Sequence, residues 1–316
     1  MERATGAIPS PKDERDFTIA ASRAAGRTEI PRKHICPLQP VKDQGNVGAC
    51  VTFSMASVIE SLMYKDRGYA IPISPGFIYL NMGEDDYKGY GRYPREVLKR
   101  LQKVGCVPHR EYRYLSEDSQ PHPPIDGCNP RFKIGNYYNL YTPEQVKQFI
   151  ANEDVYISVT VHCNTGLACS RYNGEYIIEA LPGVQNGNIS HQVCIVGYDD
   201  DFTIGSSKGA FLVQNSWGAG WGDAGYAWLQ YAHYYTFVIE AWGAEADYRQ
   251  VMHHNIGTAD FDINGVPYKM DTPSVLIDDC TMMHIRAVTE AKGDTVLWLP
   301  SAPKEWTVEF RTNEEL

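Results

Sequence analysis

Four residues have the types and spacing to do chemistry together. Cys50 closes the run Gly45-Asn46-Val47-Gly48-Ala49-Cys50, directly before a segment in which Phe53, Ala56, Val58, Ile59, Leu62 and Met63 recur at helical spacing. It is therefore placed at or near the first turn of a helix. A thiol is a poor nucleophile until it ionises, and a helix N-terminus supplies partial positive charge and unpaired N–H groups that favour the thiolate. A cysteine at a helix start is, on its own, more often a small buried residue than a catalyst. Its partners decide the matter. Gln44, six residues upstream and before the glycine-containing turn, is placed to bring its amide beside the Cys50 N–H, which together make two donors for an oxyanion. Alone, Gln44 would read as an exposed loop amide. His191 opens the apolar run HQVCIVGYD; alone it is a half-buried strand-edge histidine, but paired with Cys50 it would lower the thiol pKa and protonate a leaving amine. Asn215 begins NSWGAGWG, with two Trp and three Gly in eight residues. An Asn amide accepting the imidazole N–H fixes the ring, and a neighbouring Trp such as Trp217 shields that bond from water.

The elements that must carry these groups are legible in outline. Helical spacing predicts helices over 48–66, over 93–105, where Val97, Leu98 and Leu101 form one stripe, and over 142–154, which Thr142 opens with Glu144 and Gln145 in the first turn. After residue 150 the runs VYISVTV, EYIIEAL, HQVCIVGYD, GAFLVQNSW and GYAWLQY are β-branched or aromatic and separated by Gly, Asn and Asp, which predicts strands. A helical first half facing a sheet-rich second half is an α+β enzyme with a cleft between two lobes. Residues 1–28 are polar, carry Pro9 and Pro11 and show neither periodicity, so they read as an extended arm. Near Tyr248 the composition changes again. Residues 248–316 hold short strands, a short helix around MMHIRAVTEAKG and turns at Asn264-Gly265 and Gly293-Asp294, enough for a small appended module. The expected domains are thus 1–28, 29–247 and 248–316.

Composition sets limits on partners. With 316 residues, 22% of them charged and 43% hydrophobic, the chain is long enough for one large domain and a small one and is of ordinary globular type. The formal charge of -10, with basic residues scattered among acids, excludes a nucleic-acid partner. No stretch approaches the roughly 20 apolar residues of a membrane span. The first residues lack the basic start and apolar run of a signal peptide, so the chain reads as cytoplasmic. Eight cysteines without a CxxC pair suggest neither a zinc ribbon nor a thioredoxin site. Cys163 and Cys169 are near enough in sequence to close a small loop in an oxidising compartment. His253, His254 and His284 do not form a metal-ligand spacing. Neither a metal nor another cofactor is expected.

QGNVGACVTFS, SHQVCIVGYD and NSWGAGWGDAGY together resemble the papain family of cysteine peptidases, over roughly residues 28–245. In that family His and Asn follow the Cys by about 130 to 150 residues. Here His191 follows by 141 and Asn215 by 165, the overshoot being assigned to a longer surface hairpin, DDDFTIGSSKGA, between them. The resemblance implies a two-lobed fold with a helical left lobe, a β-rich right lobe and a small C-terminal α/β appendage. It implies Cys50 as nucleophile, His191 as acid and base, Asn215 as orienter, Gln44 as oxyanion donor and Trp217 over the His–Asn pair, with Trp221 on the leaving-group side. Gly91-Arg92-Tyr93-Pro94 resembles the family's Gly-Gly-Tyr-Pro substrate edge, with Arg92 narrowing it or favouring acidic groups. Ser190 stands where an Asp often precedes the His, which shifts the pH profile. Val47 replaces the cysteine of the usual bracing disulfide, and Val51 the aromatic residue after the nucleophile. IPSPKDERDF is similar to the short leader of bacterial members and is expected to pack on the catalytic body and limit access to the cleft. FDINGVPYKMDTPSVLIDDCTMMHIRAVTEAKGDTVLW resembles the stalk-like domain named for copper amine oxidases, which implies no copper. It implies a protein or cell-envelope partner and a secreted or envelope location.

The sequence thus reads as a cysteine endopeptidase acting on a peptide or protein. The alternatives are an amidase or acyltransferase on a protein or cell-wall peptide, told apart by products formed with a competing amine, and a catalytically silent binding protein, which would be labelled at Cys50 yet cleave nothing.

Overall fold

Cys50 opens helix α1 (Cys50–Arg67), whose first fourteen residues are all buried. Such a helix lies inside the body rather than on it. It stops at Gly68, which takes the left-handed conformation (φ 71°) and returns its N–H to the Tyr64 carbonyl. In this computed structural model, which describes residues 4–13, 29–82, 91–115, 124–130, 132–163, 167–179, 190–247 and short strands beyond, three further helices follow α1 before residue 154. Helix α2 (Pro75–Leu80) has Ser74 as its cap, accepting the Phe77 N–H at 3.0 Å. Helix α3 (Pro94–Lys103) turns Val97, Leu98 and Leu101 inward. In α4 (Pro143–Glu153), Thr142 and Gln145 satisfy each other's backbone N–H groups in a capping box.

The sheet is built from β1 (Lys33–Ile35), β2 (Ile134–Asn139), β3 (Ile157–His162), β4 (Cys169–Tyr172), β5 (Glu175–Ile178), β6 (Ser190–Ile204), β7 (Ser207–Gln214), β8 (Tyr226–Gln230) and β9 (Val238–Ala246). Its order is β2-β9-β3-β6-β7-β8-β5-β4, with β1 added to the far part of β6. Among the described strands of this sheet, only β5 and β8 pair in parallel. A 3-10 turn and a short helix α5 (Tyr234–Phe237) join β8 to β9. The three helices expected from periodicity and the strands of the second half are present; β1, β2, β4, β9, α2 and α5 are additional. The longer hairpin expected over 199–210 is a paired one: β6 continues to Ile204 and β7 begins at Ser207 around Gly205 (φ 58°). Phe202 stacks on Trp228 with ring centroids 4.4 Å apart, so this polar-looking run folds onto the sheet.

The chain divides into two compact units, Met1–Ala246 and Asp247–Leu316. In the second, strands 252–254, 260–263 and 266–269 form an antiparallel sheet, and 275–277 pairs with 280–282. The turns expected at Asn264-Gly265 and Gly293-Asp294 and most of the helix expected around MMHIRAVTEAKG lie outside the described residues. Among the described residues no helix is long and apolar enough to cross a membrane.

Polar pins fix α1 in register. The Ser54 hydroxyl lies 2.7 Å from the Ser158 hydroxyl on β3 and donates to the Val193 carbonyl on β6 at 3.0 Å. Further along the helix, buried Glu60 accepts from Lys42 Nζ at 2.5 Å and from the Ile73 N–H at 2.8 Å. Lys42 also accepts at its carbonyl from Gly218 N–H at 3.0 Å. This pair therefore ties α1 to the loops that carry Gln44 and Trp217. Replacing Glu60 by Ala leaves an ammonium and an amide without their acceptor in the interior, so chemical denaturation is expected to show a loss of about 3 kcal/mol or more.

Candidate active site

The β6–β7 pairing sets the first part of the site. Cys194 opposes Gln214 in that antiparallel ladder, so its continuation sets Asn215 against Val193, the neighbour of His191 on the same face of β6. His191 Nε2 lies 2.8 Å from Asn215 Oδ1. The same oxygen accepts the Ser216 N–H at 2.7 Å, so it is an acceptor and the imidazole must donate from Nε2. In the neutral ring Nδ1 is then an unprotonated lone pair, and among the described residues it has no hydrogen-bond partner. Trp217 stacks on the ring, centroids 4.5 Å apart and planes 28° from parallel.

Cys50 reaches this place from the helix side. It is fully buried, and its sulfur receives backbone N–H groups from Gln192, Val51 and Gly6. The first belongs to the residue after His191, which sets the sulfur at the start of β6. Gln44 is likewise buried, not an exposed loop amide. Its Oε1 accepts from Ser216 Oγ at 2.6 Å, and its Nε2 donates to the Val47 carbonyl at 3.0 Å. Ser216 thus grips both Gln44 and Asn215. It stood in the NSW motif, but serine is too common beside a turn to be singled out.

The third donor to the sulfur, Gly6, comes from an arm threaded across the site. Ala4 presents its carbonyl to Gln44 Nε2 at 3.0 Å. Gly6 accepts from Arg92 N–H at 2.8 Å, Ala7 N–H donates to the Ser190 carbonyl at 3.2 Å, and Ile8 N–H donates to the Arg92 carbonyl at 3.0 Å. Ala7 is thereby bridged to β6 antiparallel and to Arg92 in parallel. Further along, Ser10 N–H donates to Glu240 Oε1 at 3.0 Å, Ser10 Oγ accepts from Arg95 N–H at 3.2 Å, and Arg95 donates to the Pro11 carbonyl. Glu240 also lies 3.0 Å from Thr160 Oγ1; nothing in its strand marked it beforehand.

The other expected residues fall as follows. Gly91 meets the arm so closely that a Cβ there would stand 2.5 Å from the Gly6 oxygen. Arg92 points inward instead of into the cleft, with its guanidinium 3.8 Å over the Tyr79 ring and a bond to the Tyr79 carbonyl. Only its backbone serves the edge, so neither an acidic preference nor a narrowed rim follows from its charge. Tyr93 caps α3 and is exposed; Pro94 is buried as its first residue. Ser190 acts through its carbonyl. Trp221 donates its indole N–H to the Leu167 carbonyl at 2.7 Å, on the β4 side of the site. Cys163 and Cys169 are not joined to each other by a disulfide.

A helix-borne thiol, a strand-borne imidazole and an amide that orients it, framed by a mixed α+β body, define the papain-like class of cysteine proteases. A profile of the papain family cysteine proteases matches residues 28–242, and the chain belongs to that family. It is 27% identical over 207 residues to Peptidase 1 of Dermatophagoides farinae, covering 64% of this chain and 60% of that protein. To mouse cathepsin K it is 26% identical over 197 residues, covering 60% and 55%. The chain thus spans about 60% of the length of such relatives. In fold it is similar to xylellain, a cysteine protease from Xylella fastidiosa, with TM-score 0.60 and 24% identity over 78% of this chain and 97% of that one. A recombinant stem bromelain precursor aligns with TM-score 0.58 and 19% identity over 78% of each chain.

Burial decides the protonation of the pair. It pushes the Cys50 thiol up to about 12, against the three N–H groups that favour the thiolate. It pushes His191 down to about 4, only partly offset by Asn215. A thiol is uncharged below its pKa and an imidazole above its own, so with the arm in place both are neutral near pH 7. Alkylation of Cys50 by iodoacetamide, followed at that residue by mass spectrometry, is expected to climb steadily with pH. A rate already constant between about pH 5 and 8 would reveal a thiolate–imidazolium pair and overturn this.

Proposed function

We propose that the chain is a cysteine endopeptidase whose cleft is held shut by its own N-terminal arm. The observation that carries the reading is the fixed tautomer of His191: Asn215 and Ser216 leave Nδ1 as a bare base on the strand whose next N–H touches the Cys50 sulfur. Cys50, once ionised by His191, attacks a peptide carbonyl. The oxygen that gains charge is received by Gln44 Nε2 and the Cys50 N–H, the imidazolium protonates the departing amine, and water hydrolyses the thioester. Trp217 keeps water off the His–Asn bond throughout. The Ala4 carbonyl occupying Gln44 Nε2 supports this role for the amide, since the arm takes the donor an oxyanion would need. Residues 248–316 are proposed as an attachment or partner-binding module.

The arm is not itself a substrate in this pose. What it offers the sulfur is the Gly6 N–H, not a carbonyl carbon, so no acyl transfer can start. Its backbone fills the edge at Arg92 and Ser190 that an extended substrate would use. Release of the arm restores water and donors to the site, which lowers the thiol pKa and lets the pair ionise.

Two sets of variants test the reading. Against a peptide library, Cys50→Ala abolishes turnover, and Gln44→Ala lowers kcat by about 10²–10³. An unchanged rate in Gln44→Ala removes the oxyanion assignment, and acyl transfer to an added amine in preference to water would favour the acyltransferase alternative. For the arm, Gly6 is the sensitive position, because a Cβ there would stand 2.1 Å from the Gly48 carbonyl oxygen. Gly6→Val, and deletion of residues 1–28, should therefore raise turnover and Cys50 labelling by about tenfold or more, the change that 1.4 kcal/mol of docking commands. Unchanged turnover and stability in both would show that the arm is no barrier.

A further inference from the structure

A second cluster of reactive side chains lies apart from the Cys50 site, where β1 meets the end of α4. In β1 side chains alternate between faces, and the alternation runs on past its end because Cys36 N–H donates to the Val196 carbonyl at 2.9 Å. His34 and Cys36 therefore share a face. Their backbone is held closely to β6: a Cβ on Gly197 would stand 2.7 Å from the His34 oxygen and 2.8 Å from the Ile35 Cα. From the other side comes Asp154, the C-cap of α4, at φ 53° and ψ 39°. That is the left-handed region which favours Gly or Asn at this position, yet the residue carries a carboxylate. Its Oδ1 lies 2.7 Å from His34 Nε2, and it is hydrogen-bonded by the Cys36 thiol. One ligand atom from each of the three lies within 4.8 Å of the others.

We propose that His34, Cys36 and Asp154 form a binding site for a zinc ion. Imidazole nitrogen, thiolate sulfur and carboxylate oxygen are the donors zinc takes, at about 2.0–2.3 Å in a tetrahedron, which requires the three atoms to close on the ion by less than their present spread. Cys36 is the rigid anchor, with 1% of its surface exposed. The side chains of His34 and Asp154 remain 25% and 42% exposed, so they can adjust, admit the ion and leave a fourth position for water. Binding breaks the Cys36 S–H bond and forms S–Zn, the proton passing to solvent. One thiolate and one carboxylate then balance the two positive charges. The ion would tie β1 to the end of α4, where the bland alternative is a hydrogen-bonded lock with no ion.

The test uses the full chain in a Cys50→Ala background, so that the catalytic thiol does not compete. Titration with Co²⁺ should give a thiolate-to-cobalt charge-transfer band with tetrahedral visible bands, saturating at one equivalent, and Zn²⁺ should bleach them. Zinc at about a hundredfold excess over Kd should raise Tm by about 5 °C. Asp154→Gly keeps the left-handed cap and removes only the carboxylate, so it should fold at least as stably without metal while losing more than about a hundredfold in affinity. His34→Ala should weaken binding likewise. No sulfur band at one equivalent, or a band that both substitutions leave unchanged, would overturn the site.

Discussion

Everything in the catalytic body is arranged around one hydrogen bond, from His191 Nε2 to Asn215 Oδ1, made in a place without water. A bond between a neutral imidazole and an amide is modest in solvent, because water offers both groups equivalent partners. Burial removes that competition and makes the bond directional and strong enough to set a tautomer. Trp217 supplies the roof, the β6–β7 ladder supplies the register, and Ser216 fixes the amide oxygen by donating its own N–H. Gln44 is drawn into the same arrangement through the Ser216 hydroxyl. One residue thus positions the acceptor for the histidine and the donor proposed for the oxyanion.

The helix contributes the opposite half of the design. Three N–H groups around the Cys50 sulfur favour the thiolate, but total burial outweighs them, and the balance falls on the side of the neutral thiol. The Gly6 N–H is one of those donors and also belongs to the arm that excludes solvent. The arm therefore acts on the sulfur in two senses, and desolvation is the larger. Lys42 and Glu60 lie beneath this arrangement, pairing a charge on the Gln44 loop with one on α1. A buried ion pair is a poor source of net stability but a strict one of geometry, which suits a junction between two elements that must meet at an angstrom scale.

Much of this was legible from the sequence, and unevenly so. Strong local signals reported themselves: the apolar stripe of α1, the Thr142 capping box, and the density of Trp and Gly after Asn215. Strand β6 was seen only to Asp199, because Asp200, Asp201 and Thr203 look like loop until the stacking of Phe202 on Trp228 is known. Helix α2 is six residues long, too short to show a period, and its Ser74 cap and Pro75 start were the only marks. Arg92 was read by its charge, although its guanidinium had an aromatic face within reach inside the fold. The residues that proved hardest to foresee, Ser216, Glu240 and Asp154, have ordinary types in ordinary contexts. Their meaning comes from what lies opposite them in space, as when His34 and Asp154 meet across more than a hundred residues of chain.

The two halves of the site impose demands that conflict, and the proposed release of the arm would separate them in time. A dry pocket orients His191 but suppresses ionisation of both it and Cys50; a wet one allows ionisation but weakens the His–Asn bond. A permanent surface can satisfy only one condition at the sulfur. The roof over the imidazole is built from the body itself, as Trp217 belongs to the loop that follows β7, and stays when the cleft opens. The cover over the sulfur is built from residues 4–8, held largely by backbone hydrogen bonds to Arg92 and Ser190, contacts that any extended peptide reproduces. Removal of the cover would then hydrate the thiol while leaving the imidazole bond shielded. On that proposal the pair would move toward the ionised state only when the edge it serves is free for another chain.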